Sequence, residues 1–264
     1  ELPVLYENSG EGYFEDATLR SRAGIRACPH VNWGTGFVDF DNDGDRDIFI
    51  ACGHLQDNIE LRDDTTSYMV RNILLMNMGG GKFVNVSDRC GDGLAVAATS
   101  RGAAFDDLDG DGDVDVVVTN WQQAPTILQN DSATGNHWIQ VQLRGTKTNR
   151  DGVGARVKVV AQDLTQIDEV HSGRGYQSHY GTRLHFGLGK RDRIDRILAF
   201  CNEVALKTAV PLLDANPNGV LLGEATCSPN FISPTLYRDL VFPHHKALVA
   251  GLKNIGHRFV GLHI

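Results

Sequence analysis

Gly34-Thr-Gly-Phe-Val-Asp39-Phe-Asp41-Asn-Asp43-Gly44-Asp45-Arg-Asp47-Ile-Phe-Ile50 returns 68 residues later as Gly102-Ala-Ala-Phe-Asp-Asp107-Leu-Asp109-Gly-Asp111-Gly112-Asp113-Val-Asp115-Val-Val-Val118. Every aspartate of the first loop has its counterpart in the second, and Gly44 falls on Gly112. An internal repeat sets the size of the structural unit, so it comes before any other reading. A shorter element recurs around it: Leu5-Tyr6-Glu7-Asn8, Leu74-Leu75-Met76-Asn77 and Ile127-Leu128-Gln129-Asn130 each close an apolar stretch with Asn. Apolar, β-branched runs bounded by Gly, Asn and Asp read as strands and hairpins. The expected fold is mainly β: a partial β-propeller whose blades carry the aspartate loops. Residues 1–131 account for about two blades and part of a third, so a longer protein is expected around them.

Within each loop, aspartates occupy positions 1, 3, 5, 7 and 9, with Gly at position 6. Hard divalent cations take oxygen ligands, and Ca²⁺ accepts about six to eight of them. Side chains at 1, 3, 5 and 9 can converge while the carbonyl at 7 adds another oxygen. The glycine allows a turn that a Cβ would obstruct. Five carboxylates this close repel one another until a cation neutralises them. The expected metal residues are thus Asp39, Asp41, Asp43, Asp45 and Asp47, then Asp107, Asp109, Asp111, Asp113 and Asp115, holding two Ca²⁺ ions in a structural role. The EF-hand begins alike but needs a Glu at position 12 and flanking helices. Position 12 here is Ile50 or Val118, inside β-type runs.

Composition agrees with a globular chain. Of 264 residues, 41% are hydrophobic and 22% charged, which allows a core and excludes disordered and collagen-like classes. No apolar run is long enough to span a bilayer. The net charge of −8 argues against a nucleic-acid partner, and the ten loop aspartates account for it: the remainder of the chain would stand at +2. Five cysteines (Cys28, Cys52, Cys90, Cys201, Cys227) show no zinc-type spacing. A Cys28–Cys90 bridge is one of the pairings left open. The chain opens at Glu1 without Met and stops on the apolar Phe259–Ile264, so truncation at both ends is expected.

The loop residues resemble the FG-GAP (VCBS-type) repeat, a propeller blade with a DxDxDGxxD calcium loop. By that resemblance Asp39, Asp41, Asp43 and Asp47 are side-chain ligands, Asp45 acts through its carbonyl, and the second loop follows suit with Asp113 in the carbonyl role. Residues 132–197 resemble the ASPIC/UnbV domain through Asn136-His-Trp138-Ile-Gln-Val-Gln-Leu143, Thr148-Asn149-Arg150-Asp151-Gly152-Val-Gly154-Ala155-Arg156-Val157, Gly173-Arg-Gly175-Tyr176 and Leu184-His185-Phe186-Gly187-Leu188-Gly189. Alternation over Trp138–Leu143 and Arg156–Val160 reads as half-buried strands of a small β-domain. The resemblance implies an extracellular, periplasmic or cell-envelope setting and a protein or carbohydrate ligand, with no catalytic residues.

From Leu198 to Leu213 the apolar spacing reads as helix. Gly219–Glu224 reads as a strand, Ser233 as the cap of a second helix reaching about Asn254, and His257–Ile264 as a further strand. This α/β tail, 198–264, resembles the uroporphyrinogen-decarboxylase/cobamide methyltransferase family through Gly223-Glu-Ala-Thr-Cys-Ser228-Pro229, Ile232-Ser-Pro-Thr-Leu-Tyr237-Arg238 and Leu262-His263-Ile264. That family is a TIM barrel, and two βα units cannot close one. Zinc is expected only in a full-length version, where His263 would pair with a Cys beyond the chain. The junction suggests a fused or mis-assembled coding sequence, and independent reads across residues 190–205 decide it.

The remaining tempting residues read as ordinary. His244, His245, His257 and His263 lack partners at metal spacing, and His171, His179 and His185 read as surface or packing residues. Asn85-Val-Ser87 and Asn130-Asp-Ser132 match a glycosylation sequon that is common by chance. No nucleophile-elbow pattern marks a triad. The favoured expectation is a calcium-stabilised extracellular binding or adhesion module without its own catalysis. The alternatives are a methyltransferase or decarboxylase fragment fused to a propeller piece, and the scaffold part of a larger propeller enzyme.

Overall fold

The structure, a computed structural model, describes residues 3–10, 12–24, 29–145 and 149–200, with the backbone of Val220–Gly223 and Val260–His263. It divides into two compact units: residues 1–139 with Gly173–Gly181, and residues 140–172 with 182–264.

The first unit is built of antiparallel strands. β1 (Tyr6–Asn8) pairs with β2 (Phe14–Asp16). β3 (Asn32–Val38) and β4 (Asp47–Cys52) form a hairpin around the first aspartate loop. β5 (Val70–Arg71) is a short side strand, and β6 (Ile73–Asn77) and β7 (Phe83–Asn85) complete a four-stranded sheet in the order β3-β4-β6-β7. β8 (Ala97–Ala98) pairs with β5. β9 (Ser100–Asp106), β10 (Asp115–Asn120) and β11 (Thr126–Leu128) repeat the meander as a three-stranded sheet around the second loop. β12 (His137–Gln142) opens in this unit and ends in the other.

β4 explains why the sheet holds together. Successive strand residues face opposite sides, and all six of its residues are buried. Phe49 and Ala51 join Val38, Phe105, Val116 and Val118 in the core between the two sheets. Ile48, Ile50 and Cys52 face a second core with Val70, Ile73, Leu75 and Phe83. The two sheets meet along β3 and β9, and glycine makes the approach possible. A Cβ on Gly34 would stand 2.6 Å from the Ala103 nitrogen, and one on Gly36 would enter the Phe105 ring. Arg101, 9% exposed, ties the same seam: its guanidinium donates to the carbonyls of Gly53, Ser100 and His54 and lies 4.7 Å from the Trp33 ring centroid.

Gly173–Gly181 packs within this unit. The Tyr176 ring lies 5.1 Å from that of Trp33, and Tyr180 meets Phe105 edge-on at 5.1 Å. A Cβ on Gly102 would stand 2.8 Å from the Gln177 carbonyl oxygen.

In the second unit β13 (Arg156–Ala161) lies between β14 (Leu164–Glu169) and β16 (Arg196–Phe200). Its expected alternation is present: Val157, Val159 and Ala161 are buried, as are Leu184, Phe186 and Leu188 of β15 (Arg183–Gly189). The helix expected to start at Leu198 is corrected here. Leu198 and Ala199 belong to β16, paired with Lys158 and Val157. An apolar run reads as helix from spacing alone, whereas the free edge of β13 offers it a hydrogen-bonded ladder.

Residues 201–219 and 224–259, and with them the rest of the first expected tail helix and the whole of the second, lie outside the described residues, as does Cys28. β17 (Val220–Gly223) and β18 (Val260–His263) pair in parallel, each within a stretch expected as a strand. The described residues are mainly β, as the sequence suggests. Among them, no helix is long and apolar enough to cross a membrane.

Candidate metal centres

Each aspartate loop is the turn of a hairpin. The first joins Val38 to Asp47, which face each other across the strands, and the second joins Asp106 to Asp115 in the same register. To reverse within so few residues the backbone enters the left-handed region, at Asn42 (φ 59°) and Gly44 (φ 103°), then at Gly110 (φ 82°) and Gly112 (φ 95°). This is what the glycine at position 6 provides.

The curled backbone turns its N–H groups inward, and the aspartates accept from them. Asp39 takes the N–H groups of Asp43 (3.1 Å) and Gly44 (2.9 Å), and Asp107 takes those of Gly110 (2.7 Å) and Gly112 (3.1 Å). Asp41 and Asp109 accept from Asp43 and Asp111, both at 3.3 Å. Asp43 and Asp111 accept from Asp45 (2.7 Å) and Asp113 (2.9 Å). Asp47 closes the first loop by accepting from Phe40, and Asp115 closes the second by accepting from Leu108, each at 2.9 Å.

Carboxylate oxygens of Asp39, Asp41 and Asp43 lie within 4.8 Å of one another, and so do those of Asp107, Asp109 and Asp115. The first group holds positions 1, 3 and 5 and the second 1, 3 and 9. Of the other expected ligands, Asp47 and Asp111 are held by the bonds just described, Asp45 is exposed, and the Asp113 carboxylate accepts from Asn42. An all-oxygen, anionic donor set fits a hard cation such as Ca²⁺ or Mg²⁺ and fits soft metals poorly. These acidic clusters can therefore hold a metal ion. Position 12 of each loop, Ile50 and Val118, is buried at 4% and 0% exposure inside a strand, so neither loop has an EF-hand's final ligand.

The electrostatics show what such an ion would relieve. Burial pushes the Asp39 and Asp47 carboxyls up to about 7, and the neighbouring carboxylates add to the shift. Asp41 and Asp45 are raised by burial and by Asp43, and Asp113 by burial and by Asp111.

One functional element exceeds what spacing alone revealed. The closing Asn of the sequence repeat is the latch of each loop. The Asn77 N–H donates to Asp47 Oδ1 (2.8 Å) and its side-chain amide to the Arg46 carbonyl (3.3 Å). Asn130 does the same to Asp115 Oδ1 (2.8 Å) and the Val114 carbonyl (3.3 Å). The recurrence of Asn was visible in the sequence; its partners, 30 and 15 residues upstream, were not.

Residues 39–118 match the FG-GAP-like repeat family, and residues 145–198 match ASPIC and UnbV. The chain combines an FG-GAP-like repeat with an ASPIC/UnbV domain. The FG-GAP-like repeat thus begins at the first aspartate of the first loop and ends at position 12 of the second. Over 157 residues, 58% of the chain, it is 26% identical to cartilage acidic protein 1 of Homo sapiens and 24% identical to that of Mus musculus. It spans 22% and 23% of those relatives' lengths.

Proposed function

We propose that this chain is a calcium-stabilised, extracellular or cell-envelope binding or adhesion module without its own catalysis, whose β3–β11 sheets serve as propeller blades. The carrying observation is the duplicated loop. Two hairpin turns in an FG-GAP-like repeat each gather three carboxylates, sharing positions 1 and 3, and each is latched by an Asn. The proposed side-chain ligands are Asp39, Asp41, Asp43 and Asp47 in one loop and Asp107, Asp109, Asp111 and Asp115 in the other. Asp45 and Asp113 contribute their carbonyls. The extracellular setting is supported by relatives named for cartilage, and extracellular calcium modules commonly bind at about 10⁻⁴–10⁻³ M, the affinity proposed for these loops. A protein or carbohydrate is the proposed ligand. The ligand-free loops would hold several carboxylates without a counter-charge, which makes rigidifying the blade the role of the ion.

Equilibrium dialysis of the 264-residue chain against radioactive calcium tests the reading. Two ions per chain are expected, with one lost in Asp39→Ala and the other in Asp107→Ala. Failure to retain calcium at millimolar concentration contradicts it.

A further inference from the structure

The two loops are not independent in space. Asn42, at position 4 of the first loop, is 1% exposed and stands in the left-handed conformation. Its side-chain amide donates to the Gly112 carbonyl (3.2 Å) and to Asp113 Oδ1 (2.8 Å), positions 6 and 7 of the second loop. Asn42 is flanked in the chain by Asp41 and Asp43, two members of the first carboxylate group. One side chain thus connects the cation-binding stretch of one loop to that of the other. The register-equivalent residue of the second loop is Gly110, which has no side chain to extend the link.

A strap reinforces this contact. The side-chain amide of Asn130, the latch of the second loop, also donates to the Phe40 carbonyl of the first (2.8 Å). Thr134 Oγ1 and Asn136 Nδ2 both donate to the Asp41 carbonyl, at 3.1 and 2.8 Å. The Trp138 ring lies over Gly112, where a Cβ would stand 1.8 Å from Trp138 Cε2.

We infer that the two cation sites are positively coupled and that Asn42 is the positioning residue that couples them; the inference rests on the calcium reading above. An ion in the second loop takes the Asp111 carboxylate and the Asp113 carbonyl, which lie on either side of Gly112 in the chain and fix the backbone between them. Both acceptors of Asn42 are then in place, and Asn42 holds Asp41 and Asp43 at the spacing an ion requires. The ordering cost of the first loop falls because part of it has been met already. Linkage makes the effect reciprocal: an ion in the first loop tightens the second by the same factor.

Terbium provides a site-specific probe, since Trp138 beside Gly112 sensitises luminescence from the second loop. The variant that isolates the link is Asn42→Gly, which removes the side chain and keeps the left-handed turn that Gly110 already makes in the second loop. In the otherwise native chain, disabling the first loop with Asp39→Ala should weaken terbium binding at the second by about fivefold or more, the lower end of typical coupling. In the Asn42→Gly background, the same Asp39→Ala change should alter it by less than about twofold, since contacting pairs lose their interaction term when the link is cut. An equal loss in both backgrounds overturns the assignment to Asn42, and no loss in the native background overturns the coupling itself. Calcium dialysis separates these from failure of the underlying reading, in which the native chain would retain no ion. If circular dichroism shows Asn42→Gly unfolded, Asp113→Ala removes the other side chain of the 2.8 Å bond and carries the same comparison.

Discussion

Asn130 donates its main-chain N–H to Asp115 Oδ1 at 2.8 Å, and the same bond joins Asn77 to Asp47 at 2.8 Å in the neighbouring sheet. The latch sits at the end of the strand following each loop's own hairpin. It positions the last aspartate of the loop from outside the loop. A metal site built this way depends on its sheet as much as on its carboxylates.

Replacing the latch should therefore cost stability. Asn130→Ala removes donors to the Phe40 and Val114 carbonyls and the acceptor for Ser132, whose N–H and hydroxyl both bond to it. Urea unfolding should show a loss of about 2 kcal/mol, the scale for hydrogen bonds left partly unsatisfied. Asn77→Ala, where the side-chain amide donates to the Arg46 carbonyl (3.3 Å) and accepts from the Gly79 N–H (3.1 Å), two bonds against four, should lose less. The reverse order would contradict the geometry.

The seam between β3 and β9 should tolerate no side chain at Gly34. Alanine there would push a Cβ to within 2.6 Å of the Ala103 nitrogen and 2.8 Å of the Arg101 carbonyl oxygen, both backbone. A destabilisation of about 1–3 kcal/mol is expected, as for other overpacked sites. Gly80→Ala is the control for backbone strain alone, since φ is +62° and nothing lies within 4 Å. Chemical unfolding of both variants should rank Gly34→Ala as the more damaging.

Acidity should act in opposite directions on the two forms of the protein. The Asp39 and Asp47 carboxyls stand at about 7 in the metal-free fold, above the 3.8 they would have unfolded. Their contribution is full below 3.8 and lost as pH rises through about 7, so the chelated protein should gain stability from them between pH 8 and pH 5. Protons compete with the cation for the same oxygens, so calcium affinity should fall over that interval. Titrations at pH 8, 7 and 6 check the sign, and affinity that rises on acidification would contradict it.

Much of this was legible in the chain. Aspartates at every second position with glycine in register survive any reading frame of secondary structure, so the loops and their flanking strands could be placed before the fold. Ile50 and Val118 were enough to reject the EF-hand, because a buried strand residue cannot supply its last ligand. What could not be read is what tertiary pairing decides. Leu198 and Ala199 looked helical because spacing carries no information about the open edge of β13. Asn42 looked like any turn residue, because its acceptors lie 70 and 71 residues away. Tyr176 ended a motif of the ASPIC/UnbV segment and Tyr180 followed four residues later, yet their rings pack on Trp33 and Phe105 of the unit that carries the aspartate loops.

The central claim is that cations rigidify the aspartate hairpins, and thermal unfolding of the whole chain tests it most directly. Calcium at 10 mM, against a dissociation constant near 10⁻⁴ M, stabilises each site by about 2.7 kcal/mol. In a unit of this size the midpoint should rise by about 5 °C or more over that in chelator. The increase should shrink to about half in Asp107→Ala and vanish when Asp39→Ala is added. A midpoint that is the same in calcium and in chelator would contradict the account.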